Sequence, residues 1–119
     1  MAAHNDFGKA GERMAVEWLA RHGFELIYTN WKFARFEIDI IASRENILHF
    51  IEVKSRHDDR FGMPEDWVDR RKWNRLVTAG DAFQRQFPAW KQVQYDILSI
   101  LFTPDGRRDF FFIEDVYWW

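Results

Sequence analysis

Residues 37–56 read EIDIIASRENILHFIEVKSR, two strand-like runs about a polar turn. Ile38, Ile40 and Ile41 fill the first run, and Ile47, Leu48, Phe50, Ile51 and Val53 the second, the β-branched and aromatic residues that a buried, pleated surface prefers. Glu37, Asp39, Glu52 and Lys54 are set into this apolar frame. Residues two apart in a strand share a face, about 7 Å from each other, so Glu37 goes with Asp39 and Glu52 with Lys54. The turn decides whether the two pairs meet. An even-length connection through Ser43, Arg44, Glu45 and Asn46, with Asn46 taking a positive φ, puts Asp39 opposite or diagonal to Glu52. Three carboxylates and an ammonium then converge.

Charged side chains are rarely buried unless paired or bound to a metal, and grouped carboxylates resist ionising unless a cation offsets them. An ordinary ion pair is the usual fate of Glu-x-Lys in a strand. Here both faces of the hairpin are otherwise apolar, which predicts strands covered on both sides and makes the acidic group a candidate functional site.

At 119 residues the chain is long enough for one core and too short for two, so a single domain over 1–119 is expected. Hydrophobic residues at 47% and charged residues at 30% give a globular balance. No uninterrupted apolar segment follows a basic start, so no spanning helix or signal peptide is expected, and the protein is placed in the cytoplasm with no membrane partner. The absence of cysteine excludes disulfides, thiol nucleophiles and Cys-ligated zinc. His4, His22, His49 and His57 lack metal-ligand spacing and read as surface or edge residues. The net charge of −2 argues against a strongly basic, nonspecific nucleic-acid binder. Cations nevertheless crowd the stretch from Lys54 to Arg75, through Arg56, Arg60, Arg70, Arg71 and Lys72, either as a solvated face balanced by Asp58, Asp59, Glu65, Asp66 and Asp69 or as a phosphate-facing patch.

Around the hairpin, Phe7, Ala10, Met14, Ala15, Trp18 and Leu19 recur at helical spacing, with Asn5 or Asp6 as cap and Gly23 as stop. Glu12 lies at the margin of that stripe. Phe24–Phe33 reads as a strand with a bend at Thr29 and Asn30. After the loop HDDRFGMP, a second helix runs from Pro64, with Glu65 and Asp66 suiting its dipole, to about Phe87. Gly80 inside it marks either a close approach to the sheet or a kink. Val93–Phe102 and Phe110–Val116 form a further hairpin around Gly106. The order is helix, three strands, helix, two strands, an α/β fold with a mixed sheet and a helix on each side. The aromatic end, Tyr117, Trp118 and Trp119, is expected to pack on its own chain or across a dimer contact.

Taken in order, GKAGERMAVEWLARHGFELIYTNW, FEIDIIA, FIEVKSR, RFGMPEDWVDRRKWNRL and YDILSI resemble the bacterial YraN-like uncharacterised family of the restriction-endonuclease-like superfamily. The resemblance runs from about Phe7 to Ile100 and includes Gly11, Glu12, Asn30, Asp39, Glu52, Lys54, Arg56 and Lys72. It implies a core of helix, three strands, helix and strand, and metal-dependent phosphodiester cleavage. Carried onto this chain, it makes Asp39, Glu52, Lys54 and Glu12 the catalytic set. Asp39, Glu52 and the Val53 carbonyl would ligate Mg²⁺ or Mn²⁺, with Glu37 as an additional acid. Arg56, Lys72 and Arg75 would hold the backbone of a nucleic acid, DNA above RNA, structured or branched DNA included, with the protein a monomer or homodimer. Phe36 stands where the family usually has glycine. That departure favours a module that binds nucleic acid without cutting, and an interaction protein with a structural ion-pair network is the remaining alternative.

Overall fold

A computed structural model describes residues 2–57 and 69–116, with side chains from Gly8 onward. In chain order the elements are α1 (Ala2–Arg21), β1 (Glu25–Phe33), β2 (Phe36–Arg44), β3 (Ile47–Arg56), α2 (Arg70–Gln86), β4 (Val93–Phe102) and β5 (Arg108–Ile113). This is the expected order. The five strands form one sheet in the order β1-β2-β3-β4-β5, antiparallel throughout except for the parallel pair β3 and β4 that α2 connects.

The helices cover opposite faces. α1 packs mainly on β3 and α2 mainly on β2, each over its own apolar cluster. Ala15 and Leu19 of α1 meet Ile40, Ala42, Ile51, Leu98 and Ile100, whereas Leu76, Ala79 and Phe83 of α2 meet Ile38, Ile41, Leu48 and Phe50. Gly80 marks a close approach: a Cβ there would stand 3.1 Å from both Phe50 Cε2 and Tyr95 Cε1.

The turn between β2 and β3 is a two-residue connection in which both Glu45 (φ 55°) and Asn46 (φ 66°) take the left-handed region, the form whose twist matches paired strands. From it the ladder runs out through Arg44↔Ile47 to Ile40↔Ile51 and stops. β2 stays paired with β1 as far as Phe36, and β3 with β4 as far as Arg56. The sheet therefore opens between β2 and β3 at Asp39 and Glu52. Alternation breaks at the same point, because Ile38 packs under α2 while Ile40 packs under α1.

Some boundaries and one environment differ from expectation, and β5 ends at Ile113 instead of Val116. α1 runs through Asn5 and Asp6 to begin at Ala2, extended by Ala2 and Ala3, which favour helix. β5 begins at Arg108, two residues early, because the Thr103–Arg107 turn closes on the bond from Thr103 N–H to Arg107 O (3.0 Å) and starts the strand at once. α2 is capped by Asp69, whose carboxylate accepts from Lys72 N at 2.8 Å; the expected start at Pro64 with Glu65 and Asp66, and the motif residues Phe61 and Gly62, lie outside the described residues. His49, expected at the surface, is 2% exposed. It lies on a strand covered on both faces and meets Asp96 across the β3–β4 pair, Nδ1 to Oδ2 at 2.6 Å. Asp96 also accepts from Gln94 Nε2 and Asp115 N, each at 2.9 Å. Val116 N donates to Tyr95 O at 2.7 Å; Tyr117, Trp118 and Trp119 lie outside the described residues.

Candidate active site

Where β2 leaves β3, the Val53 N–H has lost its place in the ladder, and the Asp39 side chain takes it, Oδ2 to N at 2.9 Å. A carboxyl oxygen thus replaces a strand carbonyl, so the N–H freed by the opening of the sheet keeps an acceptor. This local rule pins Asp39 beside Glu52. Strand periodicity alone predicts that neighbourhood; the break in the β2–β3 ladder that produces it comes from the tertiary packing.

Two further acids approach from either side. Gly11 of α1 is buried against Ser55 of β3, so close that a Cβ there would lie 3.2 Å from Ser55 Cβ. The helix can rest this low on the sheet only without a side chain at that position. The next residue, half-buried Glu12, is thereby held over the strand opening, and Asn30 Nδ2 donates to its Oε2 at 3.2 Å. Asn30 reaches it from a left-handed bend in β1 (φ 53°). Glu37 comes from the start of β2.

The electrostatic result is concentrated on one group. Asp39 is pushed up to about 8, first by burial, then by the Glu52 charge, with Glu12 and Glu37 adding and the Val53 N–H opposing. Near neutral pH its carboxyl therefore keeps a proton. Such a shift comes from placing acids together in a partly dry recess.

Cations are distributed differently from expectation. Lys72 of α2, read as a phosphate contact, has its Nζ 3.1 Å from Glu52 Oε1. Lys54, half-buried two residues after Glu52, makes no hydrogen bond or ion pair among the described residues. Arg56, read as a phosphate contact, is buried, at 7% exposed. Arg75 is exposed and lines a cavity of about 290 Å³ with Arg35, Phe36, Glu37, Glu52, Lys72 and Leu76. A second recess of about 730 Å³ shares Arg35, Phe36 and Arg75 with the first and adds Arg70, Arg71, Asn74 and Thr78. Phe36 therefore walls the site without filling it. Among the described residues, no three His, Cys, Asp or Glu side chains are grouped to hold a metal by themselves, and no helix is long and apolar enough to cross a membrane.

The model of the uncharacterised protein family UPF0102 matches residues 11–100, a span that starts at the Gly11 contact and ends in β4. A UPF0102 protein of Bacteroides thetaiotaomicron is 43% identical over 101 residues, 85% of this chain and 84% of that one. One from Parabacteroides distasonis is 42% identical over 106 residues, covering 89% and 88%, and one from Flavobacterium psychrophilum is 42% identical over 100 residues, covering 84% of each.

Proposed function

We propose that this chain, which belongs to the uncharacterised protein family UPF0102, is a nuclease of the restriction-endonuclease-like superfamily that hydrolyses phosphodiester bonds of DNA with the help of a divalent cation. The observation that carries this reading is the placing of Asp39 at the strand opening, bonded to the Val53 N–H and close enough to Glu52, Glu12 and Glu37 for burial and their charges to raise its carboxyl. A carboxyl kept protonated by its neighbours is relieved when a cation takes the proton's place, and oxygen donors of this kind suit a hard ion such as Mg²⁺ or Mn²⁺.

The donor set fits such an ion. Asp39 and Glu52 would hold it together with the Val53 carbonyl, and water would complete its shell. That shell needs two acidic side chains, not three. When bound, the ion would acidify a water and offset charge on the phosphoryl oxygens.

The chain's own residues do the rest. Lys54, whose ammonium has no partner among the described residues, would hold the attacking water or a phosphoryl oxygen. Lys72 keeps Glu52 oriented through its ion pair. Glu12, fixed by Asn30, and Glu37 accept protons from waters in the site. Arg75, with Arg35, Arg70 and Arg71, holds the nucleic-acid backbone, which positions the strand without reading its sequence. Structured or branched DNA is included among the substrates.

The arginine recess supports binding without chemistry equally well, so a non-cutting module is the second reading. One experiment separates them: Mg²⁺ and Mn²⁺ titration with a cleavage assay on single-stranded, duplex and branched DNA and RNA, repeated with Asp39→Asn. Cation-dependent cleavage that the substitution abolishes supports the nuclease; binding without cleavage under every condition rejects it.

A further inference from the structure

Phe36 opens β2 directly after the two-residue connection of Ala34 and Arg35, and it is the wall common to the two recesses. On one side lie Glu37, Glu52 and Lys72. On the other, Arg70 and Arg71 join Arg35 and Arg75, which border both recesses, and among the described residues no carboxylate lines it. All four are exposed. In a chain of net charge −2 this is a local reversal of sign, set beside an aromatic ring that is only half-buried. A polyanion is drawn to the arginines; the ring adds something a phosphate does not need.

Arginines that track a backbone beside an aromatic side chain are the combination that binds single-stranded nucleic acid, because every base has a face to stack. In a duplex the bases are already stacked on one another and cannot reach a ring recessed between β2 and α2. An unpaired nucleotide can. We infer that Phe36 stacks on the base of an unpaired nucleotide while Arg35, Arg71 and Arg75 hold its flanking phosphates, so that the acidic site receives a single strand or the single-stranded part of a branched substrate. This deepens the nuclease reading and rests on it for the chemistry, but not for the binding.

The test is fluorescence anisotropy with Ca²⁺ in place of Mg²⁺, comparing a labelled thymidine homopolymer, an abasic homopolymer of the same length and a duplex of that length. Wild type should bind the thymidine strand about 5- to 150-fold more tightly than the abasic one, the range for one base on one ring, and more tightly than the duplex. Phe36→Leu keeps an apolar side chain in the α2-side cluster but removes the ring face, and should erase the preference for bases. Phe36→Trp should retain it. The inference is overturned if the abasic strand binds as tightly as thymidine, if the duplex is preferred, or if Phe36→Leu keeps the preference. Failure to bind any nucleic acid would remove the nuclease reading as well. The expected binding with no cleavage in Mg²⁺ would refute the nuclease alone.

Discussion

Lys72 Nζ lies 3.1 Å from Glu52 Oε1, so the cation paired with the acidic site comes from α2 and not from Lys54 on the same strand. Glu52 is only 14% exposed in its side chain and Lys72 is 40% exposed, which keeps the pair's contribution near the modest range of surface pairs. An ammonium at that distance also competes with a divalent ion for the same oxygen. Lys72→Met should therefore tighten Mn²⁺ binding about threefold to tenfold by calorimetry, while lowering cleavage because Glu52 is no longer oriented. Lys72→Arg should stay near wild type in Mn²⁺ affinity. Unchanged or weaker Mn²⁺ binding in Lys72→Met would show that the pair does not occupy the cation's place.

Asp39 gives the metal-free protein a defined pH dependence. Its carboxyl rises from 3.8 to about 8 on folding, through burial first and then Glu52. Between those values the unfolded chain has released a proton that the folded chain keeps. This group's contribution to stability is therefore full below about 4, falls as pH rises, and levels off above about 8, with a slope of at most about 1.4 kcal/mol per pH unit. Asp39→Asn keeps an oxygen for the Val53 N–H and has nothing to titrate. In urea unfolding with EDTA at several pH values, the variant should equal or exceed wild type, and its advantage should grow from pH 5 to pH 8. Parallel curves would mean that the Asp39 charge is not strained.

Much of this frame was legible locally. The β2–β3 connection followed from Asn46 between two apolar runs, β4 from the largely apolar stretch 93–102, and the end of α2 from Pro88. The site was legible as residue types and only partly as geometry. Period-two reasoning assumes an unbroken pleat, and the break at Asp39 is made by Ile38 and Ile40 packing under different helices, which no local pattern records. The Lys72–Glu52 pair depends on how α2 lies on the sheet. The His49–Asp96 pair did leave a signal: each residue sits between large apolar neighbours, Leu48 and Phe50 or Tyr95 and Ile97, in strands too apolar to present it to water.

Gly80 illustrates packing overruling propensity. In an exposed helix, alanine would gain about 1 kcal/mol over glycine. Here the added methyl meets Phe50 and Tyr95 at 3.1 Å. Tyr95 cannot swing away freely, being held edge-on by Trp73 (5.0 Å between ring centroids) and packed on Phe50 (5.2 Å). Overpacking typically costs about 1–3 kcal/mol, so after the helix gain Gly80→Ala should be net destabilising by up to about 2 kcal/mol in urea unfolding. A variant as stable as wild type would mean that α2 can lift off the sheet at no cost.

Asp96 holds the far end of the sheet together. It is 1% exposed and receives three donors from separate places: His49 of β3 at 2.6 Å, Gln94 of its own strand at 2.9 Å, and the Asp115 backbone beyond β5 at 2.9 Å. Phe24 packs edge-on against the His49 ring, centroids 4.8 Å apart, which closes the network to water. Asp96→Ala leaves all three donors without their acceptor in an apolar setting, where loss of one member of a buried pair costs about 3–5 kcal/mol. Asp96→Asn retains one carbonyl oxygen and should cost less, about 1–2 kcal/mol. The network also predicts where the damage appears. The Asp115 amide should lose its protection from hydrogen exchange in Asp96→Ala, well before amides in the middle of β3, because the segment after β5 is tied down there and by the Val116 bond to Tyr95. If Asp96→Ala loses less than about 1 kcal/mol and Asp115 stays protected, the three donors have found other partners, and Asp96 is not what fastens the end of the chain to the sheet.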